Sequence, residues 1–256
     1  MAPVSQPTGP HSVDLTIGRI KAAADRLIAT VTTISDEQMR EPSLLPGWSR
    51  GHVLTHIARN ADGLRNLLIW AETGEETPQY ASAEQRETQI ETGAGRAATE
   101  IAADVTQSAA DFIAKAAELS EVAWIAEVRG FRGPAHPAWF TLHRRLTEVE
   151  VHHVDLAAGY GPADWPDWFV TDMLYRVTGQ LAADPQAPTG IVTDSETGRQ
   201  FFLRRDPAAP GAPDATAAGA EITGPGRILL AWLLGRDGGS DLAADPPGPL
   251  PTIPPY

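Results

Sequence analysis

The feature that most constrains this chain is a pair of segments in which two potential metal-ligating side chains stand one helical turn apart. His52 and His56 occur in R-G-H-V-L-T-H-I-A-R-N, and Glu148 and His152 occur in T-E-V-E-V-H-H-V-D-L. Residues at positions i and i+4 lie over one another on a helix face, so each segment can direct two ligands at one point. About ninety residues separate the segments, enough for two further helices to bring them together. The spacing therefore indicates a metal held inside a helix bundle.

Three of these four side chains, together with a water molecule, would form an open divalent metal site of the catalytic type, and zinc is the favoured ion. Three further polar residues crowd the second segment. Glu150 lies half a turn from Glu148, so it cannot share the same metal, and we expect it to be solvated. His153 points about 100° away from His152 and has no obvious partner. Asp155 either fixes a histidine tautomer behind the metal or is a charge near the helix end.

Composition excludes several classes of function. The formal net charge of −13 argues against a broad basic surface for nucleic acid or an anionic membrane. It leaves room for an anionic small substrate, because a metal ion or a few arginines can invert the potential within one pocket. The chain has no cysteine, which removes disulfides, thiolate ligands and a protein thiol nucleophile. Any thiol chemistry therefore needs a sulfur from outside the protein.

Targeting signals are not visible in the sequence. No apolar run approaches the roughly 20 residues that span a bilayer. The first ten residues, M-A-P-V-S-Q-P-T-G-P, lack both the basic start and the apolar stretch of a signal peptide. We therefore expect a cytoplasmic protein with no membrane partner, and we expect a monomer.

Apolar periodicity predicts four helices in the first part of the chain. They cover residues 13–34, 49–73, 83–119 with a break near residues 93–95, and 138–158. Ser49 is a natural cap for the second helix, and Gly159 follows the fourth. The segment 122–138, rich in glycine and proline, is expected to be a loop with at most a short strand. We predict a disordered segment at 1–11 and a metal-binding helical domain over 12–163.

The pattern changes after residue 163. A helix is expected over 168–183, strands over 191–193, 199–205 and 220–223, and a final helix from Pro225 to Leu234. An Ala/Pro/Gly loop covers 207–219, and no helical or strand period is visible from Asp245 onward. We predict a small α+β domain over 164–240 and a proline-rich tail over 241–256.

Arg236 follows the last helix in L-L-G-R-D-G-G and has two interpretations. It is either an exposed arginine that interacts with the helix C-terminus or a clamp for a carboxylate. Four aromatic residues, Trp48, Trp70, Tyr80 and Trp124, are interpreted as packing residues and not as cofactor platforms.

Three segments resemble a known family. They are L-L-P-G-W-S-R-G-H-V-L-T-H-I-A-R-N, N-L-L-I-W-A-E-T-G-E-E-T-P-Q-Y and E-V-E-V-H-H-V-D-L. They are similar to segments of the mycothiol-dependent maleylpyruvate isomerases, which belong to the larger group of DinB-like metal-binding four-helix proteins. The resemblance covers roughly residues 12–240 and is fainter in the last part. There E-I-T-G-P-G-R-I-L-L-A-W-L-L-G-R-D fits the family's last strand, helix and arginine.

The resemblance implies a fold and a site. The fold is α+β, with an N-terminal DinB-like four-helix bundle followed by a small α+β C-terminal domain. The implied metal ligands are His56, Glu148 and His152, which leaves His52 as a neighbour, and Arg236 falls at the position of the family's catalytic arginine. The implied cofactors are Zn²⁺ or another divalent metal and mycothiol.

The implied function is a mycothiol-dependent cis–trans isomerisation of maleylpyruvate to fumarylpyruvate. Such a reaction needs a nucleophile that adds to a conjugated enone-acid, allows rotation about the resulting single bond and then leaves. Two alternatives stay open: a metal-dependent mycothiol S-transferase, and a non-catalytic small-ligand binding or regulatory protein. An isomerase returns free thiol and a transferase consumes it, whereas a protein purified without metal would favour the third class.

Overall fold

The computed structural model describes residues 10–204 and 219–254, and the chain divides into two compact units, Met1–Tyr160 and Gly161–Tyr256. The disordered segment predicted for 1–11 and the loop predicted for 207–219 lie almost wholly outside the described residues. Arg205, the predicted end of a strand, also lies outside them.

Four long helices build the first unit. They are α1 (Pro10–Val31), α3 (Arg50–Thr73), α5 (Ala98–Glu118) and α7 (Phe140–Asp155). Shorter elements lie between them in the chain: α2 (Asp36–Arg40), α4 (Ala83–Ala94), α6 (Glu121–Ile125) and the antiparallel strands β1 (Glu127–Arg129) and β2 (Ala135–Pro137). Both α1 and α3 pack against α5 and α7, which closes the predicted four-helix bundle.

The bundle core follows from the spacing of apolar residues. In α5, Ile101, Val105 and Phe112 are buried at intervals that place them on one helix face. The helix α3 is buried over a wider arc, from Val53 to Ala71, because it packs against α4, α5 and α7. Burying each large apolar side chain stabilises the fold by roughly 1.5–3 kcal/mol. No described helix combines the length and apolar character that crossing a membrane requires.

The helical stretch predicted for 83–119 is broken into α4 and α5 at Gly95, as the glycines there indicated. Gly93 shows why a glycine is needed at this break. A Cβ atom on Gly93 would lie 2.4 Å from the methyl group of Thr55 on α3. The missing side chain therefore lets the end of α4 lie directly against α3.

The second unit combines a mixed sheet with two α-helices and a short 3₁₀-helix, Pro162–Asp164. Its elements are α8 (Asp167–Ala183), β3 (Gly190–Asp194), β4 (Gln200–Phe202), β5 (Ala220–Gly224), α9 (Gly226–Leu233) and β6 (Ala243–Asp245). The strand order is β4-β3-β5-β6; β3 and β5 are parallel, and both edge strands are antiparallel to their neighbours. The helix α9 packs against α8, β3 and β5. The predicted α+β fold class is confirmed.

The strand β6 lies within the predicted proline-rich tail. Asp245 pairs with Glu221 and Ala243 pairs with Thr223, so part of the segment completes the sheet. Three residues are too few for an alternating pattern to show in the sequence. The pairing depends on the edge that β5 offers, which no local pattern reveals.

Candidate metal centre

The start of α3 separates the roles of its two histidines. Ser49 caps the helix, because its hydroxyl accepts a hydrogen bond from the backbone N–H of His52. In return, the backbone N–H of Ser49 donates to Nδ1 of His52 at 3.2 Å. The His52 Nε2 faces a carboxylate oxygen of Glu91 at 3.3 Å. His52 is therefore a capping residue engaged with α4. His56, one turn later, is buried and only 6% exposed.

The helix α7 brings the other two predicted ligands to His56. Oε2 of Glu148 lies 3.1 Å from Nε2 of His56 and 3.2 Å from Nε2 of His152. The two imidazole rings meet edge to face, with their centroids 4.9 Å apart. Two helices separated by about ninety residues thus direct three side chains at one point.

These three side chains form a donor set that fits a divalent cation. One ligand atom from each of His56, Glu148 and His152 lies within 4.8 Å of the others. In the parts of the chain that the structure describes, no other group of three His, Asp or Glu side chains converges in this way. Two imidazoles and one carboxylate are the ligands of many catalytic zinc sites, which keep a fourth position for water or substrate.

Asp155 orients one of the three predicted ligands. Its carboxylate is fully buried and lies 2.8 Å from Nδ1 of His152, which directs the Nε2 of that ring toward Glu148. Of the two interpretations left open by the sequence, the structure therefore supports a partner that fixes the histidine tautomer.

Charge in this cluster is balanced by protons. Burial opposes the charged form of His152, but the hydrogen bonds to Asp155 and Glu148 outweigh it and raise the pKa of His152 to about 9. Burial also opposes the charge on Glu148, yet the hydrogen bonds from His152 and His56 hold the pKa of that carboxyl well below its usual range. Burial lowers the pKa of His56. The positive charge that offsets Glu148 is thus the proton on His152.

Arg145 links the two helices that carry the ligands. It is fully buried on α7, and its Nη1 donates to the carbonyl oxygen of Ile57 at 2.8 Å and to Oδ1 of Asn60 at 3.1 Å. Both acceptors belong to α3. Burial lowers the pKa of Arg145 to about 10, which leaves it charged at neutral pH. This contact holds α3 and α7 in the register that brings His56 to Glu148.

Comparison with known proteins identifies the family of the chain. Residues 20–157 match the family described as the mycothiol maleylpyruvate isomerase N-terminal domain. The chain belongs to this family. Two crystal structures titled mycothiol-dependent maleylpyruvate isomerase, one of them a histidine-to-alanine variant, are 27% identical to the chain. They superpose with TM-scores of 0.84 and 0.83 and cover 95% of this chain and 97% of theirs. No curated protein matches the chain by sequence.

Membership of this family confirms the resemblance seen in the sequence, and the structure adds neighbours of the ligands. Trp48 meets the His56 ring edge to face at 5.6 Å. Nη2 of Arg86 lies 3.1 Å from Nδ1 of His56, and the guanidinium carbon lies 5.6 Å from the ring centroid of Tyr80. The sequence predicted only packing roles for Trp48 and Tyr80, and no pattern singled out Arg86. The one indication that Trp48 and Tyr80 lie near the site was their position in the segments that resemble the family.

The structure contradicts the prediction that Glu150 is solvated. We expected it to be solvated, but it is only 1% exposed. Nη2 of Arg26 and the hydroxyl of Tyr160 donate to its two oxygens at 2.5 and 2.6 Å. Although burial raises the pKa of Glu150, these two donors favour its charged form. The prediction was wrong because Arg26 stands 124 residues away in the sequence and no periodicity connects them.

His153, which showed no partner in the sequence, has two. Its Nε2 lies 2.8 Å from the Thr30 hydroxyl, and its ring stacks on Tyr160 with centroids 3.8 Å apart. Both contacts come from outside α7, one from α1 and one from the segment after α7. His153 therefore belongs to a buried polar cluster separate from the ligands.

Arg236 lies in the second unit, beyond the C-terminal end of α9. It is half-buried, and its Nη1 donates to the carbonyl oxygen of Leu234, the last residue of the helix cap, at 2.5 Å. This contact is expected of an arginine beside a helix C-terminus. The catalytic role of Arg236 stays a prediction.

Proposed function

We propose that this protein is a mycothiol-dependent isomerase of the maleylpyruvate type, with one divalent metal held by His56, Glu148 and His152. The observation that carries the proposal is the convergence of these three side chains within 4.8 Å in a member of this family. The similar crystal structures, which align over 95% of the chain, support the same activity. Zinc is the ion that we favour, since the donor set is two imidazoles and one carboxylate.

The chain itself cannot supply the nucleophile, because it contains no cysteine. We infer that the sulfur is the thiol of mycothiol, which adds to the conjugated double bond, permits rotation and leaves again. When bound, the metal supplies the positive charge that lowers the pKa of a thiol and favours the thiolate. Asp155 would hold the Nδ1 proton of His152, so that Nε2 could ligate the metal once it has lost its own proton.

The proposal is tested by measuring metal content and then the turnover of maleylpyruvate with and without mycothiol. We expect about one equivalent of metal per chain, no turnover by dialysed protein without thiol, and recovery of free thiol after each turnover. Consumption of the thiol would instead identify an S-transferase. Protein purified without metal and inactive after zinc is added would favour a small-ligand binding protein.

The ligand assignment is tested by the two histidines of α3. His56→Ala should lose the metal and the activity, because it removes a direct ligand. His52→Ala should keep most of the metal, because His52 caps the helix and pairs with Glu91. The opposite result, metal lost with His52→Ala and kept with His56→Ala, would overturn the assignment.

Arg236 is proposed as the residue that binds a carboxylate of the substrate. Arg236→Lys keeps the charge but loses the planar fork that pairs with a carboxylate. We expect normal metal content and a kcat/KM lowered by about 10- to 150-fold, the effect of one lost charge-assisted contact of roughly 1.5–3 kcal/mol. Unchanged kinetics in Arg236→Lys and Arg236→Ala would favour the other interpretation, an arginine that interacts with the C-terminal end of α9. We also predict that the protein is a cytoplasmic monomer.

A further inference from the structure

Arg86 places a positive charge beside the predicted ligands. It is half-buried on α4, and its Nη2 lies 3.1 Å from Nδ1 of His56. Its guanidinium also lies over the ring of Tyr80 at 5.6 Å, a favourable cation–π distance. Tyr80 can lie this close to α3 because Gly63 has no side chain: a Cβ atom there would lie 3.1 Å from the Tyr80 ring.

The charge of Arg86 is not matched by a carboxylate. Within residues 10–204 and 219–254, no Asp or Glu side chain forms an ion pair with Arg86. Other arginines of the same unit do form such pairs with acidic residues: Arg26, Arg50, Arg59, Arg65 and Arg96. In a chain with 33 acidic and 20 basic residues, a cation that has no acidic partner and lies beside the predicted metal ligands favours an anionic ligand.

The contact between Arg86 and His56 is incompatible with a ligating His56. A guanidinium only donates hydrogen bonds, so Nδ1 of His56 must accept here. A neutral histidine that ligates a metal through Nε2 carries its proton on Nδ1 and donates from it. The Nε2 of His56 is the atom that faces Glu148. When a metal is held there, Arg86 must give up this hydrogen bond.

We propose that Arg86 is a substrate-binding residue, which pairs with a carboxylate of a small anionic substrate when the site holds its metal. The inference rests on the proposed function and adds a second carboxylate-binding arginine to the predicted Arg236. The planar fork of an arginine matches a carboxylate through two parallel hydrogen bonds. Tyr80 supports the guanidinium with the face of its ring and with a side-chain hydrogen bond to it.

Binding of maleate, a small cis-dicarboxylate, to the zinc-loaded protein tests this role without relying on turnover. Calorimetry on the full chain would compare the wild type with Arg86→Met, Arg86→Lys and the control Arg65→Met. Arg65 is a partly exposed arginine of the same unit, paired with Asp111 at 3.3 Å, so its replacement removes the same charge away from the site. We expect Arg86→Met to weaken maleate binding about 10- to 150-fold, Arg86→Lys to weaken it less, and Arg65→Met to change it less than about twofold.

Zinc affinity provides a second readout that a merely structural role would not give. Because Arg86 must release His56 before the metal binds, Arg86→Met should bind zinc as tightly as the wild type or more tightly. Loss of zinc from a folded Arg86→Met would overturn the proposal, since Arg86 would then support the ligand set. Unchanged maleate binding in both Arg86 variants, or a zinc-loaded wild type that binds no maleate, would also overturn it.

The two proposals fail differently. If the wild type holds no zinc or does not turn over maleylpyruvate with mycothiol, the proposed function is wrong whatever Arg86 does. If the wild type is active but the Arg86 variants bind maleate normally, only the role of Arg86 is wrong. A loss of selectivity for maleate over its monomethyl ester in Arg86→Met would support direct pairing with a carboxylate.

Discussion

The helix α7 carries two pairs of the same residue types, with different surroundings. Glu148 and His152 form the first pair, and Glu150 and His153 form the second. The first pair meets a third predicted ligand, His56, and the Glu148 carboxylate contacts imidazole nitrogens, which can release their protons. The second pair contacts Arg26, Tyr160 and Thr30, whose side chains keep their protons at neutral pH.

The contacts of the second pair with Arg26, Thr30 and Tyr160 form a closed cluster. Arg26 and Tyr160 donate to the two oxygens of Glu150, while His153 contacts Thr30 and stacks on Tyr160. A permanent cation already neutralises the buried carboxylate, so no metal is needed there. The comparison shows that partners from other elements, and not the residue types on one helix, decide whether such a pair can hold a metal.

The largest expected effect on zinc affinity comes from removing the carboxylate charge of the first pair. Glu148→Gln removes a predicted ligand. Removing a residue that only hydrogen-bonds to a metal ligand lowers metal affinity by about 10- to 100-fold. We therefore expect Glu148→Gln to lower zinc affinity by more than that. The matched change Glu150→Gln should leave zinc stoichiometric. Competition with a chromophoric chelator measures the zinc affinity of both variants. Equal affinity in the two would show that the two pairs do not differ in metal binding.

How far the sequence could predict this difference depends on where the partners come from. Helical spacing predicted that Glu148 and His152 share a face, and the resemblance selected His56 over His52. The burial of Glu150 depends on Arg26, and the neighbours of His56 depend on the loop before α3 and on α4. Such contacts between distant segments leave no periodic signal in one sequence.

The next largest effect is expected at the second pair, on the stability of the fold. Arg26→Met leaves the Glu150 carboxylate buried with Tyr160 as its donor. Breaking a buried ion pair is strongly destabilising, but the Arg26 side chain is 36% exposed, so we expect a loss of about 2–3 kcal/mol in the free energy of unfolding. Urea unfolding of the metal-free protein measures this loss. A stability equal to that of the wild type would mean that the cluster does not need its cation.

The first pair should instead respond to pH through the metal. His152 must lose its proton to ligate, and its pKa of about 9 in the metal-free protein means that protons compete with the metal below that pH. Apparent zinc affinity should therefore rise about tenfold per pH unit, or about 1.4 kcal/mol, up to about pH 9 and then level off.

Chelator competition between pH 6.5 and 9.5 gives this profile. In Asp155→Asn the anionic partner that favours the protonated ring is lost, so the plateau should begin at a lower pH. A zinc affinity independent of pH between 7 and 9 in the wild type would show that His152 is already neutral before the metal binds.

The smallest expected effect is that of Tyr160→Phe, which removes one hydroxyl from the second pair. The phenylalanine ring keeps the stacking contact with His153, whereas Glu150 loses one donor and retains Arg26. One hydrogen bond to a charged group contributes about 1.5–3 kcal/mol to the free energy of unfolding. Because Arg26 still pairs with Glu150 and Tyr160 is partly exposed, we expect Tyr160→Phe to lower that free energy by only about 1 kcal/mol. Urea unfolding measures the change, with zinc affinity as the internal control. Lower stability with unchanged zinc affinity would show that the two pairs on α7 act independently. A loss of zinc in Tyr160→Phe would show instead that the closed cluster positions the predicted ligands on the neighbouring face of the helix.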